Sequence, residues 1–144
     1  MKNLFLISLL SLATLAGHAQ TGTPVKVSAQ AITQLENLKE LTKAEVVRAG
    51  KATKAHAEVR PDLNRYLVIS ADDFLRVTKE QPTKEAYLKC LDNGLVRVAP
   101  LAASATDRQQ VAEYFQDLME IVGLESSEGR LVAFVGSADK AARQ

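Results

Sequence analysis

The sequence predicts an α/β or α+β fold: a small three-stranded, largely parallel sheet packed with helices, plus an N-terminal helix. Three observations carry this expectation. Val111, Tyr114, Phe115, Leu118, Met119 and Val122 recur at the spacing of one helix face, and Gly123 stops that helix. Residues 66–69 (YLVI), 95–98 (LVRV) and 131–135 (LVAFV) are short apolar runs with the β-branched content of buried strands. Helical stretches separate these runs, which suits right-handed parallel crossovers. One antiparallel strand would turn the same elements into an α+β arrangement.

Residues 1–19 have the layout of a cleaved signal peptide. Lys2 precedes an apolar run over residues 4–16, and Gly17-His18-Ala19 leaves small residues at the −3 and −1 positions. The run is well short of the ~20 residues a helix needs to cross a bilayer. No Cys stands at the cleavage site for lipid attachment. The expected mature chain begins at Gln20 and is periplasmic or secreted. Residues 20–27, rich in Gly, Thr and Pro, are expected to be a disordered lead-in.

Residues 28–60 form an N-terminal helical segment with an Ala/Lys-rich end. Ser28 can cap the helix, and Ile32, Leu35, Leu38 and Leu41 recur every three residues as its core-facing row. Thr42-Lys43-Ala44-Glu45 has capping-box form, which predicts a break and restart there. Arg60-Pro61 predicts a helix stop.

The compact β-α-α-β-α-β core spans residues 65–136. After the first strand, Ser70 is expected as an N-cap, with Asp72 and Asp73 in the first helical turn. That helix carries Phe74, Leu75 and Val77 and breaks at Pro82. A second helical piece packs Ala86, Tyr87, Cys90 and Leu91, and Asn93-Gly94 closes it. The second strand ends at Pro100, and the long helix starts near Thr106. Ser126-Ser127-Glu128-Gly129 reads as a simple turn into the third strand, and residues 137–144 form a flexible tail.

The 18 basic residues, less Lys2, balance the 17 acidic ones in the mature chain. That balance argues against a general affinity for nucleic acid or anionic membrane. Cys90 is the single cysteine, which forbids an intrachain disulfide and suits a small buried hydrophobe. His56 is the one histidine after processing and has no positioning partner nearby in sequence. With no HExxH or CxxC, neither a metal nor a cofactor is expected. Ser137-Ala138-Asp139-Lys140 matches S-x-x-K but lacks the companion motifs.

Two groups of residues remain as site candidates. Ser70, Asp72 and Asp73 would stand at the carboxyl end of the first strand, where parallel sheets bind ligands. They could serve a small envelope hydrolase, although the helix dipole explains the two acids equally well. Lys43, Arg48, Lys51 and Lys54 could hold an anionic surface, but Glu45 and Glu58 dilute the charge and no aromatic is interleaved. The favoured expectation is a non-enzymatic binding or accessory module with an unknown protein partner. Its contact surface is expected on the N-terminal helix around Leu38 and Leu41.

Overall fold

A computed structural model describes residues 22–49 and 59–141, with side chains described over 22–44 and 61–137. Five helices account for almost all of it: α1 (Ala31–Ala49), α2 (Val59–Glu80), α3 (Lys84–Val98), α4 (Ala105–Val122) and α5 (Arg130–Ala141). Among the described residues there is no sheet. The β content is a single antiparallel bridge between Pro24 and Thr83. The expected three-stranded sheet is therefore wrong, and each of its strands lies inside a helix.

Residues 66–69 lie within α2, and the reason is visible along the whole helix. Leu63, Leu67, Ala71, Phe74 and Val77 are buried at successive spacings of three or four, so one stripe runs straight through the supposed strand and turn. Residues 95–98 lie within α3, where Tyr87, Leu91, Leu95 and Val98 make the same stripe. Gly94 does not close that helix. It sits in its interior, where a Cβ would come within 2.5 Å of Phe115 Cζ and 2.8 Å of Ser70 Oγ. Residues 131–135 lie within α5, which buries Leu131 and Phe134 at i, i+3.

The helix ends follow local chemistry. Pro61 occupies the first turn of α2, where a missing N–H costs nothing, so it begins a helix rather than stopping one. Thr83 caps α3 by accepting from the Ala86 amide, and Ser104 caps α4 by accepting from the Asp107 amide. Gly123 ends α4 as expected, with φ of 75°. Its amide donates to the Glu120 carbonyl, and the Leu124 amide donates to the Met119 carbonyl at 2.9 Å. That pair is a Schellman exit, with Leu124 buried behind it. The turn before α5 places Glu128 at φ 52° and Gly129 at φ 82°, and the Glu128 carboxylate pairs with Lys84 and Arg130.

α1 neither breaks nor restarts at Thr42. The Thr42 hydroxyl instead donates to the Leu38 carbonyl at 2.8 Å, one turn back within a continuous helix. The row of every-third residues fails for a geometric reason. At about 100° per residue, nine positions carry Leu41 roughly half a turn round the helix from Ile32. Leu35 is fully buried while Leu41 is 66% exposed, and the buried face of α1 is made by Ala31, Leu35 and Thr42.

α1 packs along α2, α2 along α3 and α4 along α5, with α1 and α2 also touching α4. The core gathers where α2, α3 and α4 meet, around Phe74, Tyr87, Leu91, Phe115 and Leu118. Residues 23–25 of the expected lead-in are paired rather than loose. The Val25 amide donates to the Pro82 carbonyl, and the Lys84 amide donates to the Thr23 carbonyl, both at 2.8 Å. Glu85 accepts from the Thr23 amide and hydroxyl, completing a clasp at the start of α3.

Candidate functional site

Ser70, Asp72 and Asp73 do not converge. Consecutive helical positions are about 100° apart, so the three side chains leave α2 in different directions. Ser70 is fully buried and donates to the Tyr66 carbonyl at 2.9 Å, where its small size lets Gly94 of α3 come close. Asp72 reaches α1, accepting from Lys39 Nζ at 3.0 Å. Asp73 reaches α3, accepting from Arg97 at 2.7 Å, with Arg76 a further 3.6 Å contact. Asp72 and Asp73 tie α2 to α1 and α3, Ser70 bonds within α2 at its close approach to α3, and no strand end underlies them.

Cys90 lies beside this seam, its thiol directed at the Asp73 carbonyl at 3.7 Å. Burial, reinforced by the Asp73 charge, pushes its pKa up to about 11. At neutral pH it is a protonated, enclosed small hydrophobe rather than a nucleophile. Among the described residues no group of three or more His, Cys, Asp or Glu side chains is gathered as metal ligands would be. No described helix is long and apolar enough to cross a membrane.

Of the basic candidates, Lys51, Lys54 and His56 lie outside the described residues, as do residues 1–19 and the expected cleavage site, and the Arg48 side chain is not described. Lys43 is exposed and pairs with Glu40 at 2.6 Å. It also stands on the rim of a shallow depression of about 410 Å³, shared with Pro61, Arg65, Val68 and Ile69. Leu38, expected on the contact surface, packs on the core, whereas Leu41 projects outward.

A second apolar depression lies between α4 and α5. α5 returns along α4 after the turn at residues 123–129. Near its far end Arg108 donates to the Phe134 carbonyl at 3.0 Å and to Ser137 Oγ at 2.5 Å, with its guanidinium 4.9 Å from the Phe134 ring centre. On the other side of that contact is a groove of about 490 Å³. Its floor is Ala112, Leu131 and Val135, its α5 lip is Val132 and Gly136, and its α4 lip is Gln109, Glu113 and Gln116. Val132 is 77% exposed.

The α4 lip carries one acid, Glu113, and Asp117 and Glu120 continue its face along the helix. Gln109 donates to Glu113 at 3.1 Å and Gln116 to Glu120 at 3.4 Å, so neutral amides hold both carboxylates. Asp117 lies beside them. Partial burial, then the charges of Glu120 and Glu113, push its carboxyl above the usual range. Among the described residues none of these three acids has a cationic partner, whereas ion pairs lace α1, α2 and α3 together.

Residues 26–139 match the model of a family described as a Domain of unknown function, DUF4844. The chain belongs to that family. The match begins just after the residues that clasp α3 and ends inside α5, so it takes in α1 to α4 and most of α5. No curated protein and no solved structure matches the chain. The family's description assigns no activity.

Sequence reasoning missed this groove because residues 131–135 were spent as a buried strand. One signal was present. In a helix, Leu131 and Phe134 would share a face and leave Val132 on another, and Gly136 one turn on would widen the same face.

Proposed function

We propose that this chain is an exported helical binding module without catalytic activity. One observation carries the reading. Asp72 and Asp73 are engaged in ion pairs between helices and Ser70 in a bond within α2, while the groove between α4 and α5 presents Val132, Val135 and Gly136 to the outside. An interior organised this way favours a rigid scaffold that offers a surface. Export rests on the layout of residues 1–19, with its charged start, apolar run and small-residue site.

Two measurements test the proposal. N-terminal sequencing of chain expressed from its own start in a Gram-negative host should find Gln20 first, in protein recovered outside the cytoplasm. An intact residue 1–19 segment on cytoplasmic protein would remove the export half. Scanning photo-crosslinking over the exposed faces should give discrete adducts at one surface, and their absence everywhere would remove the binding half.

A second reading is contact with an anionic surface, and one observation favours it. The depression beside Lys43 combines an apolar floor of Val68 and Ile69 with cationic rims at Lys43 and Arg65. Binding to vesicles containing anionic lipid should then fall steeply as salt rises. Salt-insensitive binding, or none at low ionic strength, would exclude it.

A further inference from the structure

The following rests on the binding-module reading and gives its partner a chemistry. We infer that the α4–α5 groove receives an amphipathic helix of a protein partner, with an apolar stripe flanked by lysine or arginine. Shape supplies the first argument. Two neighbouring helices leave a trough with an apolar floor, and a third helix can fill such a trough with residues at i, i+3, i+4 and i+7. α5 has one substantial packing partner, α4, which leaves the rest of its surface uncovered by another described helix.

Gly136 supplies the second argument. A glycine inside a helix costs roughly 0.5–1 kcal/mol relative to alanine. Among the described residues nothing requires that cost, because a Cβ at position 136 would meet no atom of theirs within 4 Å. At the lip of the groove, the missing side chain lets another backbone approach α5 closely. Val132, one turn earlier on the same lip, gives that visitor an apolar contact.

Charge selects the visitor. Glu113, held by a neutral glutamine, lines the groove, and Asp117 and Glu120 continue the same face of α4 at i+4 and i+7, so that side is negative with no cationic partner among the described residues. A second copy using the same groove would set one acidic lip close to another, which is unfavourable. A cationic flank on the incoming helix meets the lip with opposite charge instead.

The test uses the purified chain and two fluorescein-labelled model peptides. Both carry leucine at i, i+3, i+4 and i+7. One has lysine flanks, and its twin has glutamate in the same places. The lysine peptide should bind at least about tenfold more tightly at low salt, and the gap should shrink as salt is added. Glu113→Lys with Glu120→Lys should narrow or reverse that preference. Gly136→Leu, which adds its side chain into open space, should keep the fold by circular dichroism and weaken the lysine peptide at least about tenfold. Equal binding of the twins, or undiminished binding by Gly136→Leu, overturns the inference.

A photo-crosslinking residue at Val132 extends the test to the natural partner. A captured segment that is a basic amphipathic helix supports the inference. Capture of a second copy, of an acidic segment, or of nothing at position 132 overturns it. In the last case, adducts from another surface such as Leu41 leave the binding-module reading standing, and adducts from no surface remove both.

Discussion

Two glycines sit inside helices of this bundle, and their surroundings are opposite. Gly94 of α3 is closed in by Phe115 of α4 and Ser70 of α2, so three helices meet over the space a methyl group would need. Gly136 of α5 faces open space beside Val132. At Gly94 the missing side chain is filled by the chain itself, and the neighbouring polar residues are spent on holding α1, α2 and α3 together. At Gly136 no described residue uses the vacancy, and Glu113 across the groove has no cationic partner among the described residues. One region is finished by folding, and the other is left with features that folding does not need.

The largest effect expected is at the closed site. Phe115→Ala should cost about 3–5 kcal/mol in urea denaturation, because the ring is fully buried between three helices. Gly94→Ala should cost about 1–3 kcal/mol by overpacking, although alanine is the better helix former. Combining Gly94→Ala with Phe115→Leu should cost less than the two single changes added together, since both act on one space. Additivity would mean that Gly94 and Phe115 do not compete for it.

Gly136→Ala should move the other way, stabilising the chain by about 0.5–1 kcal/mol. Destabilisation by this substitution would erase the contrast between the two glycines, and with it the reason to look outside the chain for what Gly136 accommodates.

The smallest effect is local and set by pH. Glu85 is held below the usual glutamate range, first by its own backbone amide and then by the Thr23 amide and hydroxyl. A depressed carboxyl contributes where it is ionised, so the contribution is present above its unfolded pKa and lost as pH falls through the folded value. Amide exchange at Val25 and Lys84, corrected for intrinsic rates, should therefore quicken below about pH 4. The α2–α3–α4 core should keep its protection over the same range. Loss of both together would tie the clasp to global unfolding.

How legible this molecule was in its sequence differs by element. α4 was readable at both ends and along its length, because its stripe is long and Gly123 has the conformation that ends a helix. α2 and α3 were each divided in two at residues that are common in turns. Ser70-Ala71-Asp72-Asp73 and Asn93-Gly94 look like boundaries one by one, yet each lies on a buried stripe that continues past it. The candidate site failed with the sheet: without a strand end, Ser70, Asp72 and Asp73 have nothing to gather them. The groove was hidden for the converse reason, since reading residues 131–135 as a buried strand assigned Val132 to the interior.

The sequence by itself determined the local signals: the face of α4, the Schellman exit at Gly123, the break at Pro82 and the caps that follow it. These depend on spacing and on residues within one or two turns, which the chain carries wherever it goes. Tertiary structure decided whether short apolar runs became helix or strand, which row of α1 faced inward, and which glycine was enclosed. Four or five apolar residues satisfy either period, and only the arrival of Phe115 over Gly94, or the absence of any partner over Gly136, distinguishes a packing contact from an open surface.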